Sequence, residues 1–332
     1  VILAALQTFE RKNEQADKSL SLQNVKMKIS DYTHCTDEHT QYPKYFNSLK
    51  ENNRILFFDI ETTGLSARNS TLYLIGALWY EDDHIRIRQW FNEDGYSEKE
   101  LVTSFDSFCA DFSHLIHFNG TTFDVPYIRE KAKTHKLSIS HIEALEQFDI
   151  FKEIRSYKKL LGLENMKQTS IEKFLGIARE DTCTGGDLIN VYQRYVARPD
   201  TEKEHLLLLH NHDDLLGMPG VSNILCYKAL FENPEFSIQT LQYHEHERTM
   251  QFALTLSNRC SLPGRFMTTG KNGIYINALD CSAVLVVPVV QGQLKHYFKD
   301  YKNYYYLPAE DMAVHKSISS FVDSTHREKA TK

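Results

Sequence analysis

Ile55-Leu56-Phe57-Phe58 is an unbroken apolar run that stops on an acid, Asp59, with a second acid, Glu61, two residues later. A short run without polar alternation suits a strand buried on both faces, in the middle of a sheet that helices cover. Side chains alternate along a strand, so Asp59 and Glu61 leave the same face. Two carboxylates on one face repel each other unless a cation lies between them. An oxygen-rich cluster suits Mg²⁺ or Mn²⁺ better than zinc. Taken alone, the pair also fits an ordinary acidic strand end in water.

The pattern downstream favours an α/β fold. Strands are expected over 71–80 and 84–91, joined by Glu81-Asp82-Asp83; the second alternates, with Ile85, Ile87 and Gln89 opposite Arg86, Arg88 and Trp90. Ser97 with Glu100 reads as a capping box, and Leu101, Phe105, Phe108 and Phe112 give the following helix an apolar stripe. Residues 115–118 form another buried strand ending at Asn119-Gly120, 123–133 a helix, and 148–150 a short strand. Short helices follow to about residue 195. A long helix then runs over about 202–231, with an irregularity at Gly217-Met218-Pro219-Gly220. Three antiparallel strands followed by alternating helices and strands predict a mixed sheet flanked by helices.

After Asn233-Pro234 the chain turns to β patterns over 239–246, 249–257, 273–276 and 283–290, then an aromatic-rich stretch over 297–306 and a closing helix from Ala313. The expected division is an N-terminal extension over 1–53 (a short helix and a strand or two), an α/β domain over 54–234, and a β-rich module over 235–332.

Two further segments gather chemistry-bearing residues. Phe118-Asn119-Gly120-Thr121-Thr122-Phe123-Asp124 passes from a strand into a helix, where an acid also complements the helix dipole. His210-Asn211-His212-Asp213-Asp214 lies on the long helix. His210 and Asp214 are four apart and share a face; Asp213, three from His210, shares part of it.

Together these strings resemble the three motifs of the DEDD 3′–5′ exonuclease superfamily, which has the ribonuclease H-like fold. Asp59-Ile60-Glu61-Thr62-Thr63-Gly64 matches the first, Asn119 through Phe123-Asp124 the second, and His210 with Asp214 the third. The resemblance implies two Mg²⁺ or Mn²⁺ ions held by Asp59, Glu61, Asp124 and Asp214, with Asp59 shared between them. It implies that His210 orients the attacking water and acts as general base. The four-residue spacing is that of the tyrosine subclass, so a histidine here departs from the pattern. Thr62, Thr63, Gly64 and Leu65 would meet the terminal nucleotide, Leu65 packing on its base, with Gly64 allowing close approach or a positive φ. Asn119 would position backbone or substrate. Residues 54–230 further resemble the YprB-type ribonuclease H-like family through Phe148-Asp149-Ile150-Phe151, Met166-Lys167-Gln168-Thr169-Ser170-Ile171-Glu172, Leu175-Gly176-Ile177, and Gly185-Gly186-Asp187 with Tyr192. Lys167 there either meets a phosphate or stays in solvent; Asp149 either supports the metal ligands or caps a helix.

The implied activity is phosphodiester hydrolysis at the 3′ end of single-stranded or frayed DNA or RNA. The same metals also serve an endonuclease or structure-selective nuclease, and the fold also serves a nucleic-acid-binding module without turnover. A formal net charge of −6 excludes broad electrostatic coating of nucleic acid, but not a local site where bound cations reverse the charge. Six scattered cysteines without a Cys-x-x-Cys pair exclude common zinc spacings and suggest a reduced, cytoplasmic setting. No apolar run reaches the roughly 20 residues of a membrane span. Near the end, Lys295, His296, Tyr297, Phe298, Lys299, Tyr301, Lys302, Tyr304, Tyr305 and Tyr306 interleave rings with basic groups. That pattern serves base stacking and phosphate tracking, or equally a strand whose rings pack inward.

Overall fold

The computed structural model describes residues 26–37, 40–50, 54–82, 84–180, 185–257, 259, 261–292 and 299–331. The first 25 residues of the expected extension, and Lys295, His296, Tyr297 and Phe298 of the aromatic stretch, lie outside the described residues.

A six-stranded mixed sheet forms the centre of the first unit. Its strands are β1 (Met27–Cys35), β2 (Ile55–Thr62), β3 (Leu72–Glu81), β4 (His84–Asn92), β5 (His114–His117) and β6 (Glu146–Asp149), in the order β1-β4-β3-β2-β5-β6. β1 through β2 pair antiparallel, whereas β5 and β6 run parallel to β2. The sheet therefore begins before residue 54, with β1 as its edge.

Helices α1 (Glu98–Cys109), α2 (Asp124–His135), α3 (Ser140–Ala144), α4 (Ile150–Ile154), α5 (Gln168–Leu175), α6 (Gly185–Ala197), α7 (Thr201–Ser222) and α8 (Leu225–Glu232) accompany it. Alternation on β2 sorts the core. Leu56, Phe58 and Ile60 pack with Leu101 and Phe105 of α1 and Val125 and Ile128 of α2. Ile55 and Phe57 join Leu215, Met218 and Val221 of α7. Asp59 and Glu61 continue the second series, so the sheet's own pleat aims both acids toward α7.

Several local expectations are corrected. Ser97 precedes α1 without capping it: its hydroxyl donates to Asp94 at 3.0 Å, and Glu98 instead accepts the Leu72 N–H at 2.7 Å. The long helix does not falter at 217–220. It continues through Pro219 to Ser222 and breaks at Asn223-Ile224, because residues 217–222 are all buried and packing overrides local propensity.

Strands β7 (Phe236–His244), β8 (Thr249–Leu256), β9 (Leu262–Thr269), β10 (Tyr275–Asp280) and β11 (Ser282–Pro288) form an antiparallel sheet in the order β7-β8-β11-β10-β9. β9 escapes sequence detection because it opens with Leu262-Pro263-Gly264, which reads as a turn; on an edge strand a proline is tolerated. Phe266 of β9 meets Tyr227 and Phe231 of α8. This sheet shares a compact unit with the α/β part, while His246–Arg248 and Pro288 onward form a second unit. There β12 (Tyr304–Leu307), β13 (Met312–His315) and β14 (Glu328–Lys329) make a small antiparallel sheet. The expected helix from Ala313 is thus a strand, folded back on β12 by a turn in which Asp311 takes φ +47° and accepts the Tyr306 hydroxyl at 2.7 Å. Among the described residues, no helix is long and apolar enough to cross a membrane.

Candidate active site

The C-terminal end of β2 carries the first acids. The ladder to β3 shifts register between Glu61 and Thr62, a bulge of the kind that re-aims side chains at a strand end. Asp59 Oδ2 accepts a 2.9 Å hydrogen bond from Asn211 Nδ2 of α7. Asn211 is fully buried and its Oδ1 accepts from Gln89 Nε2 at 2.8 Å, which also reaches the Leu208 carbonyl. Gly76 of β3 makes that approach possible, since a Cβ there would lie 2.0 Å from Asn211 Oδ1 and 2.6 Å from Leu215 Cδ1. Glu61 Oε2 accepts from the Tyr73 hydroxyl at 3.4 Å, and Tyr73 stacks on Tyr192 at 4.3 Å.

Asp124 opens α2, and its Oδ1 accepts the Ile60 N–H at 3.3 Å, between the two β2 acids in sequence. The preceding turn is organised by Asp149, which accepts the N–H groups of Asn119 (2.9 Å) and Thr121 (3.1 Å) and also caps α4 through Lys152 N–H. Asn119 takes the left-handed φ of +65°, and its side chain accepts the Thr122 hydroxyl at 2.8 Å, so it shapes this turn. One carboxylate of Asp149 thus caps α4 and also holds the turn that precedes Asp124.

From α7, His210 Nε2 lies 3.6 Å from Glu61 Oε1 and 3.7 Å from Asp214 Oδ2. Glu61, His210 and Asp214 each offer a ligand atom, all within 4.8 Å of one another. Asp213 turns elsewhere: its Oδ2 accepts the Glu180 N–H at 2.9 Å, and its Oδ1 stands 3.7 Å from His212.

Burial is the dominant electrostatic fact, and crowding of like charges adds to it. Burial, then repulsion from Glu61, Asp124 and Asp214, holds the Asp59 carboxyl well above the usual range. Burial pushes Glu61 up to about 8, with His210 opposing and Asp214 and Asp124 adding to the rise. Asp124 is pushed up to about 7, chiefly by burial, against the pull of its backbone hydrogen bonds.

The loop after β2 is closed by Thr63, whose N–H reaches the Thr71 carbonyl at 2.9 Å and whose hydroxyl accepts the Thr71 N–H at 2.8 Å. The hydroxyls of Thr62 and Ser70 both donate to the Gly64 carbonyl, at 3.0 and 2.9 Å. Gly64 does not adopt a positive φ; a Cβ there would lie 3.2 Å from Ser70 Cβ, so close approach is what it permits. Leu65 is 88% exposed at this loop. Lys167 is exposed at the start of α5, where its N–H donates to Asn165, and no contact between it and the carboxylates occurs among the described residues.

Sequence reasoning did not find Gly76, Gln89, Asn211 or Tyr73 as parts of this arrangement. A glycine inside the apolar strand 72–79 was a readable sign of close backbone approach. Asn211, lying between two histidines, carried no sign of its own.

Residues 56–226 match the family model of the RNase H superfamily. The chain belongs to that superfamily. Its fold is the RNase H-like fold, a mixed sheet flanked by helices, with an antiparallel β-rich region after it. Among solved structures, a family B DNA polymerase from the hyperthermophilic archaeon Pyrobaculum calidifontis is similar at 16% identity, with 52% of this chain and 24% of that one covered and a TM-score of 0.43. E. coli exonuclease I with a 5cy-dA13 oligonucleotide is similar at 14% identity, 50% and 45% coverage and a TM-score of 0.33. Its complex with a dT13 oligonucleotide gives 10% identity, 61% and 55% coverage and a TM-score of 0.36. The chain thus spans 24% to 55% of the length of these proteins. No curated protein matches it.

Proposed function

We propose that this chain is a divalent-metal-dependent 3′–5′ exonuclease that hydrolyses phosphodiester bonds of single-stranded or frayed nucleic acid. The observation that carries the reading is the convergence of Asp59 and Glu61 from β2, Asp124 from α2 and Asp214 with His210 from α7. The donor set fits Mg²⁺ or Mn²⁺: it is carboxylate oxygen, and the acids are buried against one another in a way that a divalent cation relieves. Asp59, Glu61 and Asp214 would hold one ion, and Asp59 with Asp124 a second. When bound, such ions supply Lewis acidity at the phosphate and make water a better nucleophile at neutral pH.

The protein's own groups do the rest. Asn211 fixes the Asp59 carboxylate from α7. His210, beside Glu61 and Asp214, takes the proton of the attacking water, a transfer that an imidazole suits. The tied loop over 63–71 presents the Gly64 backbone and the exposed Leu65 to the terminal nucleotide, Leu65 offering an apolar face to its base. Thr62 and Thr63 hold the loop in that shape, Asn119 sets the turn that delivers Asp124, and Lys167 at the start of α5 is placed in solvent to meet a phosphate. We place the catalytic domain at 54–234, completed by β1, assign it to the YprB-type subgroup, and give the β-rich region over 235–332 to substrate contact.

The test is degradation of a 5′-labelled oligonucleotide, as DNA and as RNA, with Mg²⁺, Mn²⁺ or EDTA. A ladder shortening from the 3′ end, absent with EDTA, is expected. Internal cuts would replace the exonuclease reading with an endonuclease, and binding without cleavage would replace it with a non-catalytic module. Comparing the two sugars reads out contact to the 2′-hydroxyl.

A further inference from the structure

Asp214 is held from outside the carboxylate cluster by a group that none of the three motifs contains. Arg179, in the segment after α5, donates from Nη1 to Asp214 Oδ1 at 2.6 Å. The same nitrogen reaches both oxygens of Glu172, at 3.2 and 3.0 Å. Glu172, on α5, is 1% exposed, and its Oε1 also accepts from Gln168 Nε2 at 2.9 Å. Gln168 Nε2 closes the ring by donating to the backbone carbonyl of Asp214 at 2.8 Å. Gly217 of α7 leaves the space for this: a Cβ there would lie 2.5 Å from Glu172 Oε1.

The ring ties both the backbone and one carboxylate oxygen of Asp214 to α5. The remaining oxygen, Oδ2, is the one that faces His210, at 3.7 Å. A charge-assisted bond from a guanidinium that is itself locked by a buried carboxylate restricts rotation of its partner far more than an exposed pair does. Placed between Glu172 and Asp214, Arg179 also gives each carboxylate a cationic partner, which matters most for the buried Glu172.

We propose that Arg179 is a positioning residue of the metal site: it holds Oδ1 of Asp214 so that Asp214 offers a single oxygen, Oδ2, to the cation shared with Glu61. The proposal rests on the nuclease reading above. Loss of a purely structural ion pair would lower stability without altering how the site takes a metal.

The experiment titrates Mn²⁺ into metal-free wild type, Arg179→Gln and Arg179→Lys by calorimetry, with melting temperatures recorded for each. Arg179→Gln is expected to weaken Mn²⁺ binding about tenfold or more, equivalent to about 1.4 kcal/mol. It should also lower kcat on a labelled oligonucleotide while KM changes less than about twofold. Arg179→Lys, which keeps a charge and a donor, is expected to recover most of the Mn²⁺ affinity. A lower melting temperature with unchanged Mn²⁺ affinity overturns the proposal, as does tighter binding in Arg179→Gln, which would make Arg179 a competitor. If wild type itself takes no Mn²⁺, the nuclease reading fails and this inference with it; if only the variant comparison fails, the nuclease reading stands. A second measurement needs no variant: in a crystal structure of wild type with Mn²⁺, Arg179 is expected to remain on Oδ1 with only Oδ2 on the ion. Both oxygens of Asp214 on the ion with Arg179 displaced would overturn the proposal.

Discussion

Replacing Glu61 with glutamine removes one charge from the carboxylate cluster while keeping an oxygen for the Tyr73 hydroxyl. Its carboxyl is pushed from an ordinary 4.5 up to about 8 in the metal-free protein, mainly by burial. The folded state therefore binds this proton more tightly than the unfolded chain, and stability must fall as pH rises from about 4.5 to about 8. The difference, about 3.5 units at about 1.4 kcal/mol each, sets an upper limit of about 5 kcal/mol for the cost of ionising Glu61 in place. Nearly all of that is felt at about pH 9, about 3 kcal/mol at pH 7, and under about 1 kcal/mol at pH 5. Urea unfolding in EDTA at these three values measures it. The variant is expected to be more stable than wild type at pH 9, by up to several kcal/mol, and nearly equal at pH 5. Asp59 and Asp124, raised with the same sign, keep a fall of stability with pH in both proteins. A variant less stable than wild type at pH 9 would refute the placement of Glu61 among buried, mutually repelling acids.

Gly76→Ala should cost about 1–3 kcal/mol by overpacking, because its Cβ would overlap Asn211 and Leu215; thermal melting checks this, and activity should fall as Asn211 leaves Asp59. Asp149→Ala removes the acceptor of three backbone N–H groups, and a loss of about 2–4 kcal/mol with lower activity is expected from the turn that delivers Asp124. Leu65→Ser, at an exposed position, should leave the melting temperature within about 1–2 °C and raise KM for an oligonucleotide; an unchanged KM would remove Leu65 from substrate contact.

Much of the fold was legible because its signals are local. The apolar run before Asp59, the alternation of β4 and the stripe of α1 each follow from burial on one or two faces. The central acids were legible for the same reason: the pleat of β2 alone places Asp59 and Glu61 together. What escaped depends on packing between distant segments. Gln89 and Asn211 are 122 positions apart and meet only because Gly76 leaves room. Arg179 and Asp214, 35 apart, meet through α5 lying along α7. The closing strands were misread because Met312–His315 gains its partner from β12, whereas four residues of local sequence fit a helix equally well.

The central claim is that Asp59, Glu61, Asp124 and Asp214 form one metal site. Calorimetric titration of Mn²⁺ into metal-free wild type and Asp59→Ala at about pH 8 tests it most directly, with circular dichroism verifying that both are folded. Two ions per chain in wild type, with binding lost or weakened at least about 100-fold in the variant, is expected, a change of about 2.7 kcal/mol. Equal Mn²⁺ binding by the two folded proteins, or none by wild type, would contradict it.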